Sequence, residues 1–188
     1  MPETIRAFIA IELPTQVREG IGQVQVAMQS MGLRGAWIRP ENIHLTLRFL
    51  GDIRSAAIET IAGAMAEAAK SCGPFQLSGK SVGVFPNTDR PRVLWVGVAG
   101  QVERLQKLQH SLTEQLAGCG YPEERRRFHG HLTVARFKRP PPAGVLLQAI
   151  QAQAAFETEP FFAGELILLQ SLLKPSGAVY SPLRRVGL

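Results

Sequence analysis

Apolar positions along this chain follow two rhythms, and the alternation between them sets out the elements. Thr4 to Ile11 is an almost unbroken apolar run, the mark of a buried strand. Pro14 then opens a helical pattern through Val17, Ile21, Val24 and Met28, which Gly32 and Gly35 close. Ile43 to Leu50 reads as a strand. Ser55, with Glu59 in the first turns, caps a helix reaching Lys70. Phe75–Phe85 and Arg92–Val98 read as strands joined by the turn-rich segment Pro86-Asn87-Thr88-Asp89-Arg90-Pro91. Val102, Leu105, Leu108 and Leu112 mark an amphipathic helix over Gln101–Leu116. Gly130–Phe137 is a further strand, Pro140-Pro141-Pro142 breaks the chain, and a short helix spans Val145–Ala154. Strands near Glu165–Leu173 and Ala178–Arg185 finish it. Strands and helices alternate with hairpins between them. The expected class is therefore α+β with mixed or antiparallel sheets, rather than a doubly wound parallel sheet.

Two of these strands carry nearly the same sequence. Asn42-Ile43-His44-Leu45-Thr46-Leu47-Arg48-Phe49 and His129-Gly130-His131-Leu132-Thr133-Val134-Ala135-Arg136-Phe137 both contain His-Leu-Thr followed by an aliphatic residue, close to half a chain length apart. This points to two related halves, each contributing one such strand. Side chains alternate faces along a strand. His44, Thr46 and Arg48 then share one face, and Ile43, Leu45, Leu47 and Phe49 the other. His131 and Thr133 likewise share a face opposite Leu132 and Val134. Each strand presents an imidazole and a hydroxyl about 6–7 Å apart at the backbone.

Composition narrows the class of ligand. With 188 residues and 45% hydrophobic content the chain has ample material for a core. Its apolar runs fall far short of the roughly 20 residues of a membrane span. The N-terminus lacks a basic stretch followed by an apolar segment, so no signal peptide is expected. Cys72 and Cys119 have no paired spacing and are read as free thiols of a cytoplasmic protein. The net charge of +6 is diffuse apart from Arg125-Arg126-Arg127, and Arg outnumbers Lys, which suits an anionic ligand. Neither GxGxxG nor GxxxxGK[ST] occurs, so a dinucleotide or triphosphate site of those kinds is not expected.

The two histidine strands suit phosphodiester opening. In-line attack needs one group to take a proton from the nucleophile and another to give one to the leaving oxygen, and imidazole does either near neutrality. Thr46 and Thr133 hydroxyls can donate to the non-bridging oxygens. A zinc site built from His44, His129 and His131 is the competing reading. No carboxylate or thiol lies near in either strand, and Thr is a poor zinc ligand, so no metal or other cofactor is expected.

At these residues the sequence resembles the 2H phosphoesterases, and among them the RNA 2′,3′-cyclic phosphodiesterases also called 2′-5′ RNA ligases. Arg6-Ala7-Phe8-Ile9-Ala10 resembles the family's first strand and Trp37 to Gly51 its first motif. Pro91-Arg92-Val93-Leu94-Trp95 resembles the central strand and Phe128 to Arg136 the second motif. Leu169-Gln170-Ser171-Leu172 and Gly177-Ala178-Val179-Tyr180 resemble the closing hairpin. Gly130 stands where relatives often carry Pro. The resemblance implies one domain over residues 1–188, made of two pseudo-twofold lobes around a cleft. It implies His44 as donor to the leaving 3′ oxygen, His131 as the base that activates water, and a 2′-phosphate product. Arg136 matches a phosphate-contacting position, although strict alternation puts it opposite His131. Arg48, on the His44 face, is a candidate RNA contact. Phe49 is a candidate base-stacking residue that alternation places on the core side, and His129 a candidate for the cleft edge. Trp37 and Trp95 are read as core, and His110 as surface.

The expected partner is RNA with a 2′,3′-cyclic phosphate end or a related cyclic nucleotide, acted on by a monomer away from membranes. Three alternatives stay open at this point: 2′-5′ ligation, hydrolysis of a small cyclic nucleotide, and a non-catalytic RNA-binding module. Symmetry of the motifs cannot decide which histidine is acid and which is base.

Overall fold

The structure, a computed structural model, describes residues 4–124, 127–175 and 177–188. Arg125 and Arg126 of the basic cluster lie outside the described residues, and Arg127 is exposed. In chain order the elements are β1 (Thr4–Glu12), α1 (Thr15–Ser30), β2 (Ala36–Trp37), β3 (His44–Arg54), α2 (Ile58–Ala69), β4 (Phe75–Phe85) and β5 (Val93–Gly100). They continue with α3 (Val102–Gly118), β6 (His131–Arg136), α4 (Ala143–Ala152), β7 (Phe161–Ala163), β8 (Glu165–Lys174) and β9 (Gly177–Gly187). The strands form one sheet in the order β7-β4-β5-β6-β3-β1-β8-β9, with β2 against β6. Every strand pairing is antiparallel.

The expected elements appear near their expected bounds, with two short strands added, a 3-10 turn over Pro40–Asn42 and one shift. β2 and β7 are too short to show a period in the sequence. Ser55 heads a 3-10 turn over Ser55–Ala57, and α2 begins only at Ile58.

All four helices pack on one face of the sheet. Val17, Ile21 and Met28 of α1, Ile61 and Met65 of α2, Leu105 and Leu112 of α3, and Leu146 of α4 share a core with Ala7, Ile9 and Ile11 of β1. The alternate residues of β1, Phe8 and Ala10, fall in a second, smaller cluster with Ile167, Leu169 and Tyr180. β1 is therefore apolar on both sides, which explains its unbroken run in the sequence. The helix-free face carries the cleft.

A repeated unit underlies this arrangement. β1-α1-β3-α2 recurs as β5-α3-β6-α4, with β3 paired to β1 and β6 paired to β5. The two units meet where Leu45 of β3 pairs with Leu132 of β6. Each leucine directly follows its motif histidine, so this pair marks the pseudo-twofold. Residues diagonal to one another across an antiparallel pair are about 7–8 Å apart, and His44 and His131 stand in that relation.

Candidate active site

Each motif strand contains a β-bulge at the same place. Ala10 pairs with Thr46 but Ile9 pairs with Arg48, leaving Leu47 extra. Trp95 pairs with Thr133 but Leu94 pairs with Ala135, leaving Val134 extra. A bulge sets two residues against one and resets the alternation. The burial record shows it: in both strands the histidine and threonine are half-buried, the residue after each is buried, the next is buried as well, and the sixth is exposed.

This overturns the faces expected from strict alternation. Arg48 does not face the cleft. It is 4% exposed, donates to the carbonyls of Tyr121 and Pro122, and lies 3.9 Å from Glu124. Its guanidinium braces the segment leading toward the second motif and is not an RNA contact. Phe49 moves the other way: it is 56% exposed and packs at 5.9 Å on Phe8, beside His44. Arg136, at the equivalent place on β6, turns to the His131 side.

The bulge on β6 has its own anchor. Gln25 of α1 is buried, and its Nε2 donates to Val134 O at 2.9 Å and to Ile38 O at 2.7 Å. Ile38 N donates to Val134 O at 3.0 Å as well. The extra residue's carbonyl thus receives two hydrogen bonds, which offset its displacement from the ladder.

The histidines are held alike. Each Nδ1 lies against the carbonyl two residues earlier, Asn42 O at 2.8 Å for His44 and His129 O at 2.7 Å for His131. A carbonyl only accepts, so each Nδ1 carries the proton and each Nε2 is left for chemistry. Burial is the largest influence on both and pushes both pKa values below the ordinary imidazole value, against the stabilising backbone bond. The charge of Arg136 pushes both further down, and each therefore feels this one guanidinium. Glu12 acts upward on His44 alone, while His129 acts downward on His131.

Aromatic rings fix the imidazole planes. Phe8 stacks on His44 at 4.7 Å and 29°, and Tyr180 meets it edge-on at 5.2 Å. Phe85 meets His131 edge-on at 5.1 Å. Trp95 lies on the cleft side, paired with Thr133 and packed on Phe85 and His129, rather than in the core. Its ring covers Gly83, where any Cβ would strike it. His129 is exposed at the cleft edge, and its carbonyl holds His131. Trp37 packs against the main core, and His110 is exposed beside Glu114. Phe8, Glu12, Gln25, Tyr180 and Phe85 carry no sequence signal that marks them as site residues. Phe8 was hidden in a run apolar on both faces, and Gln25 in an otherwise ordinary helix pattern.

Among the described residues no three His, Cys, Asp or Glu side chains gather as a metal site. Among those residues no helix is long and apolar enough to cross a membrane. Cys72 and Cys119 are free.

The profile of the 2′-5′ RNA ligase superfamily matches residues 13–174, most of the chain and both histidine strands. The chain belongs to the 2′-5′ RNA ligase superfamily. Curated relatives include the RNA 2′,3′-cyclic phosphodiesterase of Methanothermobacter thermautotrophicus, 32% identical over 94% of this chain and 95% of its own. That of Archaeoglobus fulgidus is 32% identical over 96% and 98%. Among solved structures, E. coli LigT complexed with 3′-AMP aligns with a TM-score of 0.75 and 26% identity over 99% of both chains. Membership of the superfamily agrees with the antiparallel sheet and its two histidine strands.

Proposed function

We infer that this protein hydrolyses 2′,3′-cyclic phosphate ends of RNA by general acid–base catalysis. The observation that carries the reading is the pair of imidazoles on equivalent strands, both with Nδ1 committed to a carbonyl and Nε2 free. The cyclic phosphate sits between them. His131 Nε2 takes a proton from water as its oxygen bonds to phosphorus. His44 Nε2–H gives a proton to the 3′ oxygen as the P–O3′ bond breaks. The products are a 2′-phosphomonoester and a free 3′-hydroxyl, and the two imidazoles exchange their protons with solvent before the next turnover. Thr46 and Thr133 hydroxyls donate to the non-bridging oxygens, and Arg136 neutralises charge there. Phe49 offers its ring to the terminal base, and His129 borders the cleft.

The curated relatives' names support the substrate class. Water is far more concentrated than any RNA 5′ end, which favours hydrolysis over 2′-5′ joining. We take residues 1–188 as one domain of two related lobes, acting as a cytoplasmic monomer with no metal. The test is incubation with RNA bearing a 2′,3′-cyclic phosphate, with and without EDTA, and mapping of the product phosphate. A 2′-phosphate formed equally in both supports the reading. Loss of turnover in EDTA, restored by zinc, rules out the metal-free mechanism, and an intact cyclic end rules out the function.

A further inference from the structure

The two halves of the cleft differ at one cross-strand position. His44 is paired in register with Glu12 of β1, and His131 is paired in register with Gly97 of β5. Cross-strand partners share a face, so the Glu12 carboxylate belongs to the imidazole side. Glu12 and His44 line one small pocket together with Asn42 and Tyr180. The carboxylate is held in place: Arg185 Nη2 donates to Glu12 Oε2 at 3.2 Å, and Arg185 Nη1 donates to Glu165 Oε1 at 2.8 Å. One guanidinium between two carboxylates leaves the trio with a net negative charge.

The second lobe excludes such a group. A Cβ at position 97 would lie 2.7 Å from the Lys80 carbonyl oxygen and 3.4 Å from the Trp95 ring. No carboxylate can be placed there without moving backbone. The charged neighbours acting on His131 are instead His129 and Arg136.

We propose that Glu12 is the positioning residue that gives His44 the proton-donor role, its carboxylate favouring the imidazolium while Gly97 leaves His131 without such a partner and free to act as base. This rests on the hydrolytic reading above and supplies what the symmetric motifs lack, a physical reason for the division of labour. The other groups facing His44 are Arg136 and His131 from β6, Tyr180 from β9, and Arg18 and Glu41 at the rim of the pocket. Of these, Arg136 and His131 oppose the cation. Burial outweighs Glu12 at His44; Glu12 is the raising charge on His44 that has no counterpart at His131, and a bound phosphate adds to it.

The test is Glu12→Gln, read in two ways. NMR titration of the imidazole protons of the ligand-free protein should show the His44 midpoint falling by roughly half a pH unit or more, with His131 unmoved. The high-pH limb of kcat/KM on cyclic phosphate-ended RNA should fall with it, while the low-pH limb stays. An aryl phosphodiester with a nitrophenolate leaving group needs no donated proton and should lose nothing. Glu12→Asp, which keeps the charge, should restore part of the shift. An unmoved His44 midpoint, or a shift of His131 instead, overturns the proposal. If the wild type leaves the cyclic phosphate intact, the hydrolytic reading fails, and the NMR arm still judges Glu12.

Discussion

β3 and β6 have the same backbone and different surroundings. Both carry His-x-Thr, both pin the histidine through the carbonyl two residues back, and both bulge at the aliphatic residue that follows the threonine. From that shared frame come two imidazoles and two hydroxyls facing one cleft. The side chains around the frame then diverge. The exposed sixth position is Phe49 on one strand and Arg136 on the other. The residue across from the histidine is Glu12 on one side and Gly97 on the other. Phe8 stacks flat on His44, whereas Phe85 meets His131 edge-on. In the function proposed above the repeat would supply paired proton carriers, and the departures from it would distinguish the two.

Removing either histidine breaks the comparison most severely. His44→Ala and His131→Ala should each lower kcat on cyclic phosphate-ended RNA by about 10²- to 10⁴-fold, the usual worth of a general acid or base. An aryl phosphodiester with a nitrophenolate leaving group should rescue His44→Ala and not His131→Ala. Rescue of the second variant alone reverses the roles, and a loss under about tenfold in both ends the catalytic reading. The wild-type pH profile sharpens the same point. The base must be neutral, and burial together with His129 and Arg136 holds His131 below the ordinary imidazole value. The low-pH limb of kcat/KM therefore lies below about 6.5. The acid must be protonated, so rate falls as pH rises through the His44 pKa. Phosphate in the cleft favours that cation, so the high-pH limb of kcat should sit above that of kcat/KM. Coincident limbs would show that substrate does not charge His44.

The hydroxyls come next. On the proposed function Thr46→Ala and Thr133→Ala should each delete one hydrogen bond to a charged phosphate, worth roughly 1.5–3 kcal/mol, or about 10- to 150-fold in kcat/KM. Wild-type kinetics in both variants, with unchanged thermal unfolding, would place the hydroxyls away from the reacting group.

The histidines and threonines were legible in the sequence because alternation holds up to the bulge. Beyond it, the sequence misleads by one residue. Val134-Ala135 is an apolar pair that tolerates double burial, but in the first strand the same pair is Leu47-Arg48, and a buried arginine hides the irregularity. Its burial depends on the carbonyls of Tyr121 and Pro122, which lie more than seventy residues away in sequence and leave no local trace. Trp95 departs from its expected place in the core for a related reason. A large apolar ring on a central strand reads as core, and only the glycine at 83, on the neighbouring strand, shows that it lies flat on the other face.

Gln25 tests whether the bulge matters to the site. Gln25→Leu keeps the volume and removes both donors, leaving the Ile38 carbonyl without its side-chain partner. The expected cost is about 1–3 kcal/mol of stability, or roughly 2–4 °C in Tm for each kcal/mol in a chain of this size. If the bulge serves Arg136, KM should rise several-fold more than kcat falls, and that activity loss should vanish in an Arg136→Ala background. An equal loss in both backgrounds would show that Gln25 supports the fold only.

The smallest expected effect separates the two exposed sixth residues by the kind of contact they make. In the proposed complex Arg136 meets phosphate through charge, and binding through charge releases counterions. Affinity for a single strand then falls with salt at a slope of about 0.7 per phosphate contacted, on logarithmic axes. Arg136→Ala should weaken binding of a cyclic phosphate-ended oligonucleotide and flatten the salt slope by about that amount. Phe49 in that complex meets a base through its ring, and stacking is worth about 1–3 kcal/mol per base with no ion released. Phe49→Ala should therefore weaken binding to a similar or smaller extent while leaving the slope as it was. The comparison uses a catalytically dead His131→Ala background, so that titrations measure binding rather than turnover. Equal slopes in the Arg136→Ala variant and its parent would place that guanidinium away from the RNA backbone. A flattened slope in Phe49→Ala would show that losing the ring also displaces Arg136 across the cleft.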